Sequence, residues 1–415
     1  MIGVLRGAWA LLFGIALLAL GNGLQGTLLG VRASLEEFGP VTTGIVMSAY
    51  SVGLLIGSFE TPKLIARVGH IRVFAAFASV ISTSALVFVV FVSPVSWVLL
   101  RLISGACTSG LYIVAESWLN QTSSNEDRGK LLSIYMTITF FCMGVGQLLL
   151  NVADPGGFVL FIFVSALVSI SLVPISLSAM PAPAITEGRP VGIAQLYRLS
   201  PLAVVACFGN GLAQSAFFTM GAVYATLQGF SFAEVSLLMG LPLIGVIASQ
   251  YPIGMLSDRF DRRKVLTIFT FLSCLLAVMC IFAANSSFNA LVVTMTLFGC
   301  LALPLYSLAI AHANDHLESD QLLGAAGKLV LIFGVGASGG PFVAGAVMEG
   351  IGPRGFFIYL AGTYLLIGVF ALYRMIQRES LPLEEQGDAL MAMPPTSPVA
   401  VGALVEQSDA ASTNT

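Results

Sequence analysis

Pro252 to Val265 reads PIGMLSDRFDRRKV: a long apolar run stops at Asp258, and a basic cluster of Arg259, Arg262, Arg263 and Lys264 follows within a few residues. Gly254, with no side chain, is placed to let two helices approach closely. Basic clusters between apolar runs mark one face of a membrane protein, the cytosolic face by the positive-inside rule. What kind of chain holds this turn is decided by the stretches on either side.

Those stretches are apolar almost throughout. Of 415 residues 57% are hydrophobic and only 9% charged, and the mean hydropathy is +0.93. Soluble chains carry about 25% charged residues, so a soluble domain is excluded. Runs of about 20 apolar residues, long enough to cross a hydrocarbon core, recur at 6–31, 41–62, 71–93, 96–120, 130–152, 157–179, 200–227, 233–257, 265–284, 289–314, 322–348 and 355–376. The runs are continuous instead of alternating, which excludes a barrel and predicts an all-α polytopic protein with twelve transmembrane helices. Twelve spans put both ends on one side. Of 18 Lys and Arg, only Arg32 and Arg354 fall on the far side and Arg101 and Lys328 within spans, so both termini are expected in the cytosol. The first run is too long for a cleaved signal peptide and reads as a first helix. Six cysteines lie inside apolar runs without a CxxC pair and read as small hydrophobes. The net charge of −3 is confined to loops and the tail, and nothing points to nucleic acid.

The polar stretch 181–199 divides the spans six and six, giving a first bundle at 1–180 and a second at 200–376. The tail 377–415 has lost its apolar runs and is expected to be disordered in the cytosol. Internal repeats support the division. Gly21-Asn22-Gly23-Leu24 recurs as Gly209-Asn210-Gly211-Leu212, Gly144-Val145-Gly146 as Gly334-Val335-Gly336, and Leu111-Tyr112 with Asn120 as Leu305-Tyr306 with Asn314. Two repeated six-span halves with a site between them near the midplane is a transporter plan.

The pattern G-x-x-x-D-R-x-x-R-R of the opening stretch resembles the loop signature of the major facilitator superfamily, in its second-half copy. Arg67-Val68-Gly69-His70-Ile71-Arg72 resembles the first-half copy, but Pro62 and Ala66 stand where Gly254 and Asp258 do, and Glu60 is the candidate replacement for the lost acid. Arg101 with Gly105 resembles the superfamily's R-x-x-x-G element. Glu116-Ser117-Trp118-Leu119-Asn120 together with Ala311-His312-Ala313-Asn314-Asp315 resembles the bacterial YcaD-like branch. The resemblance implies two six-helix bundles working by alternating access. It also implies a gating role for Asp258, Arg259, Arg262 and Arg263; a topology anchor is the alternative. Gly336 to Gly345, GASGGPFVAG, resembles a glycine-rich antiporter motif but stands in span 11 instead of span 5, so the antiporter label does not carry over.

Polar side chains inside spans are costly in lipid and point to a pathway or to a partner helix. Asn22, Gln25 and Arg32 share a face of span 1, Arg101, Thr108 and Tyr112 a face of span 4, and Asn210, Gln214 and Tyr224 a face of span 7; Tyr306 is the repeat of Tyr112. The bland alternative is interhelical hydrogen bonding, about 0.6 kcal/mol per contact. For Arg101 a cavity is the better reading; Arg32 is near enough to the interface to snorkel. Spans 1 and 7 carry no mid-span acid, and Asn22 stands where drug antiporters of the superfamily often have one, which counts against a cationic drug, while Arg101 with Arg32 points to a neutral or anionic solute. Glu116 belongs either to a charge network with Arg67, Arg72 or Arg128 or to proton coupling. His312 and His316, four apart around Asp315, read as a solvated helix end before they read as metal ligands.

The expected function is secondary active transport of a small solute across a bacterial inner membrane. The driving force is an ion gradient, with a proton as candidate coupling ion, because the chain has no phosphate-binding loop of the GxxxxGK[ST] type and needs no cofactor. A multidrug or metabolite efflux antiporter, or a non-transporting sensor on the same fold, are the alternatives. An enzyme is not expected, since no nucleophile and base are spaced to converge.

Overall fold

The computed structural model describes residues 2–122, 128–177, 192–317 and 321–377, with the side chains of 2–7, 120–122, 128–130 and 323 outside that description. Of the expected linker, 181–191 lies outside the described residues, as does the tail from 378. The chain folds into helices α1 Ile2–Leu35, α2 Pro40–Val68, α3 His70–Val90, α4 Pro94–Thr122, α5 Arg128–Leu148, α6 Val159–Ser176, α7 Ile193–Leu199, α8 Pro201–Leu227, α9 Phe232–Arg259, α10 Arg262–Ser286, α11 Phe288–Ala302, α12 Leu305–Asn314, α13 Leu322–Ile351 and α14 Gly355–Gln377. Among the described residues twelve stretches are long and apolar enough to cross a membrane, α11 and α12 together forming one of them. The protein is a multi-pass, all-α membrane protein. We call the face that carries Arg67, Arg72 and Arg259 to Lys264 the basic face, and the one that carries Arg32, Pro40 and Arg354 the opposite face.

Local chemistry sets the ends of these helices. Proline opens α2 and α8, where its missing N–H costs no bond. Ser231 and Glu234 form a reciprocal capping box at the start of α9. Asp261 caps α10 by accepting from the Arg263 N–H at 3.0 Å, so only Phe260 and Asp261 separate α9 from α10. The first-half counterpart turns instead at a single residue, Gly69, whose φ of +86° suits glycine. The short α7 arises within the expected linker because Leu196 is buried against α8.

Two bundles result. In the first, α1 packs on α5 and α6, and α2 on α4; in the second, α8 packs on α13 and α14, and α9 on α11. The repeated glycine motifs are sites of close helix crossing. A Cβ on Gly23 would stand 2.2 Å from the carbonyl oxygen of Met143, and one on Gly146 2.3 Å from that of Leu20. The second bundle reproduces both contacts: Gly211 meets Phe333 at 2.1 Å and Gly336 meets Phe208 at 2.2 Å. Lipid tails give apolar helices little reason to associate, so such backbone approach is what holds a membrane bundle together. The bundles themselves meet where α2 lies on α13, α5 on α9 and α1 on α8.

Span 10, expected as one helix, is broken at Leu303 and Pro304. Proline has no N–H to offer the Cys300 carbonyl four residues back. Ser249 of α9 supplies the missing bond at 2.8 Å, and Gln214 of α8 donates to the Leu303 and Ala302 carbonyls at 3.1 and 3.5 Å. A break at membrane depth persists only when the freed backbone groups are satisfied in this way.

Candidate functional site: a central cavity and a charged turn

A cavity of about 250 Å³ lies between the bundles, walled by α1, α2, α4 and α5 on one side and by α8 and α13 on the other. Its size falls near the lower edge of the roughly 300 to 1,000 Å³ of drug-sized sites, which suits a small molecule. The Asn22 amide donates to the Tyr112 hydroxyl at 3.1 Å within it. Arg101, 3% exposed, lies 4.1 Å from the centre of the Tyr50 ring. Gln25, Gln147 and Gln214 each keep a buried amide atom without a hydrogen-bond partner, as does the Nε of Arg101. Buried polar atoms are ordinarily satisfied, so these mark places where a bound molecule or water would bond.

Of the residues singled out from the sequence, Asn22, Gln25, Arg101, Tyr112 and Gln214 line this cavity. Arg32 does not: it pairs with Glu36 at 2.6 Å and donates to the carbonyls of Pro155 and Gly156, latching the opposite-face end of α1 to the loop before α6. Asn210 turns back on its own helix and donates to the Ala206 carbonyl at 2.9 Å. Tyr224 stacks on Phe356 and meets Phe357 edge-on in an aromatic cluster. Tyr306 is buried behind the cavity wall, edge-on to Phe333, and Thr108 is buried outside the lining. The sequence reading missed Tyr50, Ser58, Thr139, Gln147 and Thr219, all of which line the cavity. A usable signal existed, since Tyr50, Leu54 and Ser58, and likewise Thr139, Met143 and Gln147, recur every four residues and so share a helix face.

At the basic face, Arg262 is 1% exposed and bridges two acids. Its guanidinium reaches Asp315 at 2.5 Å, Asp258 at 3.1 Å and the Ala311 carbonyl at 3.3 Å. The α9–α10 turn is thereby tied to the end of α12. Asp315 is thus engaged by Arg262, and His312 is buried at 5% instead of solvated, which corrects the expected helix end. Arg259 and Lys264 are exposed, and Arg263 lies 3.7 Å from Asp261. Gly254 meets nothing within 4 Å of a built Cβ. The close approach expected there is absent because its neighbours Tyr251, Pro252, Met255 and Leu256 face outward.

The first-half turn is built differently. Glu60 pairs with Lys63 at 2.7 Å on the surface, and the ion pairs of the described residues do not include Arg67 or Arg72, both exposed. Glu116 is fully buried and accepts from the Tyr135 hydroxyl at 2.7 Å. Arg128 opens α5, but its side chain lies outside the described residues.

A family model described as Major Facilitator Superfamily matches residues 11–242 and 225–405. The chain is 26% identical over 367 residues to the uncharacterized MFS-type transporter YcaD of Escherichia fergusonii, covering 87% of this chain and 95% of that protein. Among solved structures it is similar to the nucleoside transporter NupG, with a TM-score of 0.74 at 15% identity over 89% of this chain and 99% of that one. It is also similar to the fucose:proton symporter FucP of Escherichia coli, with a TM-score of 0.55 at 16% identity and the same coverage of 89% and 99%.

Proposed function

The chain belongs to the Major Facilitator Superfamily, and we propose that it carries a small solute across a bacterial inner membrane by alternating access. The central cavity is the solute site, an ion gradient supplies the driving force, and the basic face is cytosolic. The bundles are 1–180 and 200–376, joined by the linker 181–199 and followed by a cytosolic tail. One observation carries this reading: the cavity draws its walls from both bundles and is closed towards the opposite face by backbone contact. A Cβ on Gly44 of α2 would stand 2.4 Å from the Pro341 carbonyl oxygen of α13, and one on Gly345 of α13 2.3 Å from that of Pro40. Near the same end Asn151 donates to Ser236 across the bundles at 2.7 Å. Contacts that seal one end of a site made by two rigid bodies open when the bodies rock.

The test needs no solute. Ser215 lines the cavity on α8, and Ser215→Cys is exposed to a membrane-impermeant maleimide from either face, with labelling mapped by mass spectrometry. Labelling from both faces is expected, and adding Asn151→Cys with Ser236→Cys under oxidation should abolish labelling from the opposite face until a reductant is added. Labelling from one face alone, whatever the redox state, would be the mark of a static sensor.

Proton coupling is assigned to Glu116. It sits one helical turn from Tyr112, which meets Asn22 in the cavity, so a proton there and a solute above it act on the same helix. Opposite-face labelling of the Ser215→Cys chain should depend on pH, and Glu116→Gln should flatten that dependence. An unchanged profile would leave Glu116 a structural partner of Tyr135.

A further inference from the structure

Among the described residues Arg101 is the only charged one in the lining of the central cavity; the other polar residues there are Asn, Gln, Ser, Thr and Tyr. It forms no ion pair or hydrogen bond among the described residues, and its Nε is buried without a partner. The guanidinium carbon lies 4.1 Å from the centre of the Tyr50 ring. The acid of the same helix, Glu116, lies about 22 Å further along at 1.5 Å per residue and accepts from Tyr135. A guanidinium held at membrane depth without a counter-ion is an expensive arrangement, and the expense falls when a ligand brings the charge. The repeat sharpens the contrast. The glycine that follows Arg101 by four residues, Gly105, corresponds to Gly299, and four residues before that stands Met295. The cation therefore belongs to one bundle alone. Across the cavity, the wall from α8 and α13 is uncharged: Phe218, Val330 and Phe333 form its apolar part, and Gln214, Ser215 and Thr219 its neutral polar part.

We propose that the cavity binds a monoanionic organic acid, its carboxylate on the guanidinium of Arg101 and its apolar or aromatic body against Phe218 and Phe333. A carboxylate matches the planar donor fork of arginine. A phosphate monoester would bring nearly two negative charges against a single cation with no lysine or histidine in the lining. A cationic solute would meet repulsion with no acid to offset it. The proposal rests on the reading of this cavity as the solute site, and it adds the class of solute.

The experiment measures the melting temperature of the purified full chain in detergent with matched probes: 3-phenylpropanoate and shorter and longer phenylalkanoates, each beside its neutral amide and its amine. The carboxylates should raise the melting temperature with saturable dependence on concentration, and the amides and amines should leave it in place. Arg101→Gln should weaken the carboxylate response about 10- to 100-fold, the worth of a hydrogen bond to a charged group, and Arg101→Lys should fall between. Phe218→Ala should change which chain length is preferred while keeping the preference for carboxylate over amide. The comparison of probes on the unaltered chain stands even where a variant fails to fold. Amides as effective as carboxylates, a response insensitive to Arg101→Gln, or no response to any carboxylate would overturn the anion site. Carboxylate binding without two-sided cavity access would instead remove the transporter reading and keep the site.

Discussion

Arg262→Gln is expected to destabilise the folded chain by about 3 to 5 kcal/mol, the cost of removing one partner from a buried ion pair. The guanidinium is 1% exposed and holds Asp315, whose side chain is 3% exposed, at 2.5 Å. Without it a buried carboxylate loses its guanidinium partner. Asp315→Asn should be damaging for the reciprocal reason. Asp258→Asn should cost less than about 1 kcal/mol, because at 39% exposure water screens and replaces the pair. Chemical denaturation of the purified protein in detergent gives the order directly. Were Asp258→Asn as harmful as Asp315→Asn, the network would not be centred on the α12 contact. The signature turn then reads as the clamp that fastens α9 and α10 to α12 within one bundle, so that its basic face moves as a unit.

Gly105→Ala is the second large effect. The added methyl would stand 2.1 Å from the carbonyl oxygen of Tyr50, a backbone atom that can yield only if α2 moves off α4. Overpacking of this kind costs about 1 to 3 kcal/mol, and Gly105→Leu more. The displaced residue is the one whose ring covers Arg101, so the loss should extend to ligand binding. Gly254→Ala is the control. Nothing lies within 4 Å of its built Cβ, and alanine is the better helix former by about 1 kcal/mol, so stability should hold or rise. If Gly254→Ala nevertheless abolishes opposite-face labelling of the Ser215→Cys chain, the close approach that its place in the signature implies belongs to the other state of the cycle. Equal losses of stability at Gly105 and Gly254 would refute the packing account of both.

The glycine motifs show how far a sequence pattern reaches. Their near-constant spacing exposed the two halves, and the structure supplies the cause: Gly23 with Met143 and Gly211 with Phe333 are the same crossing made twice. The polar residues between those glycines were less legible. Asn22 and Asn210 occupy repeat-related positions, yet Asn22 donates to Tyr112 in the cavity while Asn210 donates to its own helix. Which bond an amide makes depends on what faces it, here Tyr112 on α4, and no periodicity within α1 or α8 records that. Gln147 is a related case: its spacing from Thr139 and Met143 marks a shared helix face, but only the crossing of α5 with α1 turns that face towards the cavity.

By itself the sequence determined the all-α multi-pass architecture, the number of spans and the likeness of the two halves, because a hydrocarbon layer of fixed thickness demands apolar helices of fixed length with their backbone satisfied internally. The sequence already pointed Arg101 towards a cavity; tertiary structure alone decided that it stands there without a counter-charge among the described residues while Arg32 pairs with Glu36, and that Pro304 breaks span 10 where Ser249 and Gln214 can accept the break. The physical reason is the same in each case. Helix length and hydropathy are sums along one segment, whereas burial, pairing and exposure depend on the rotation and crossing of two.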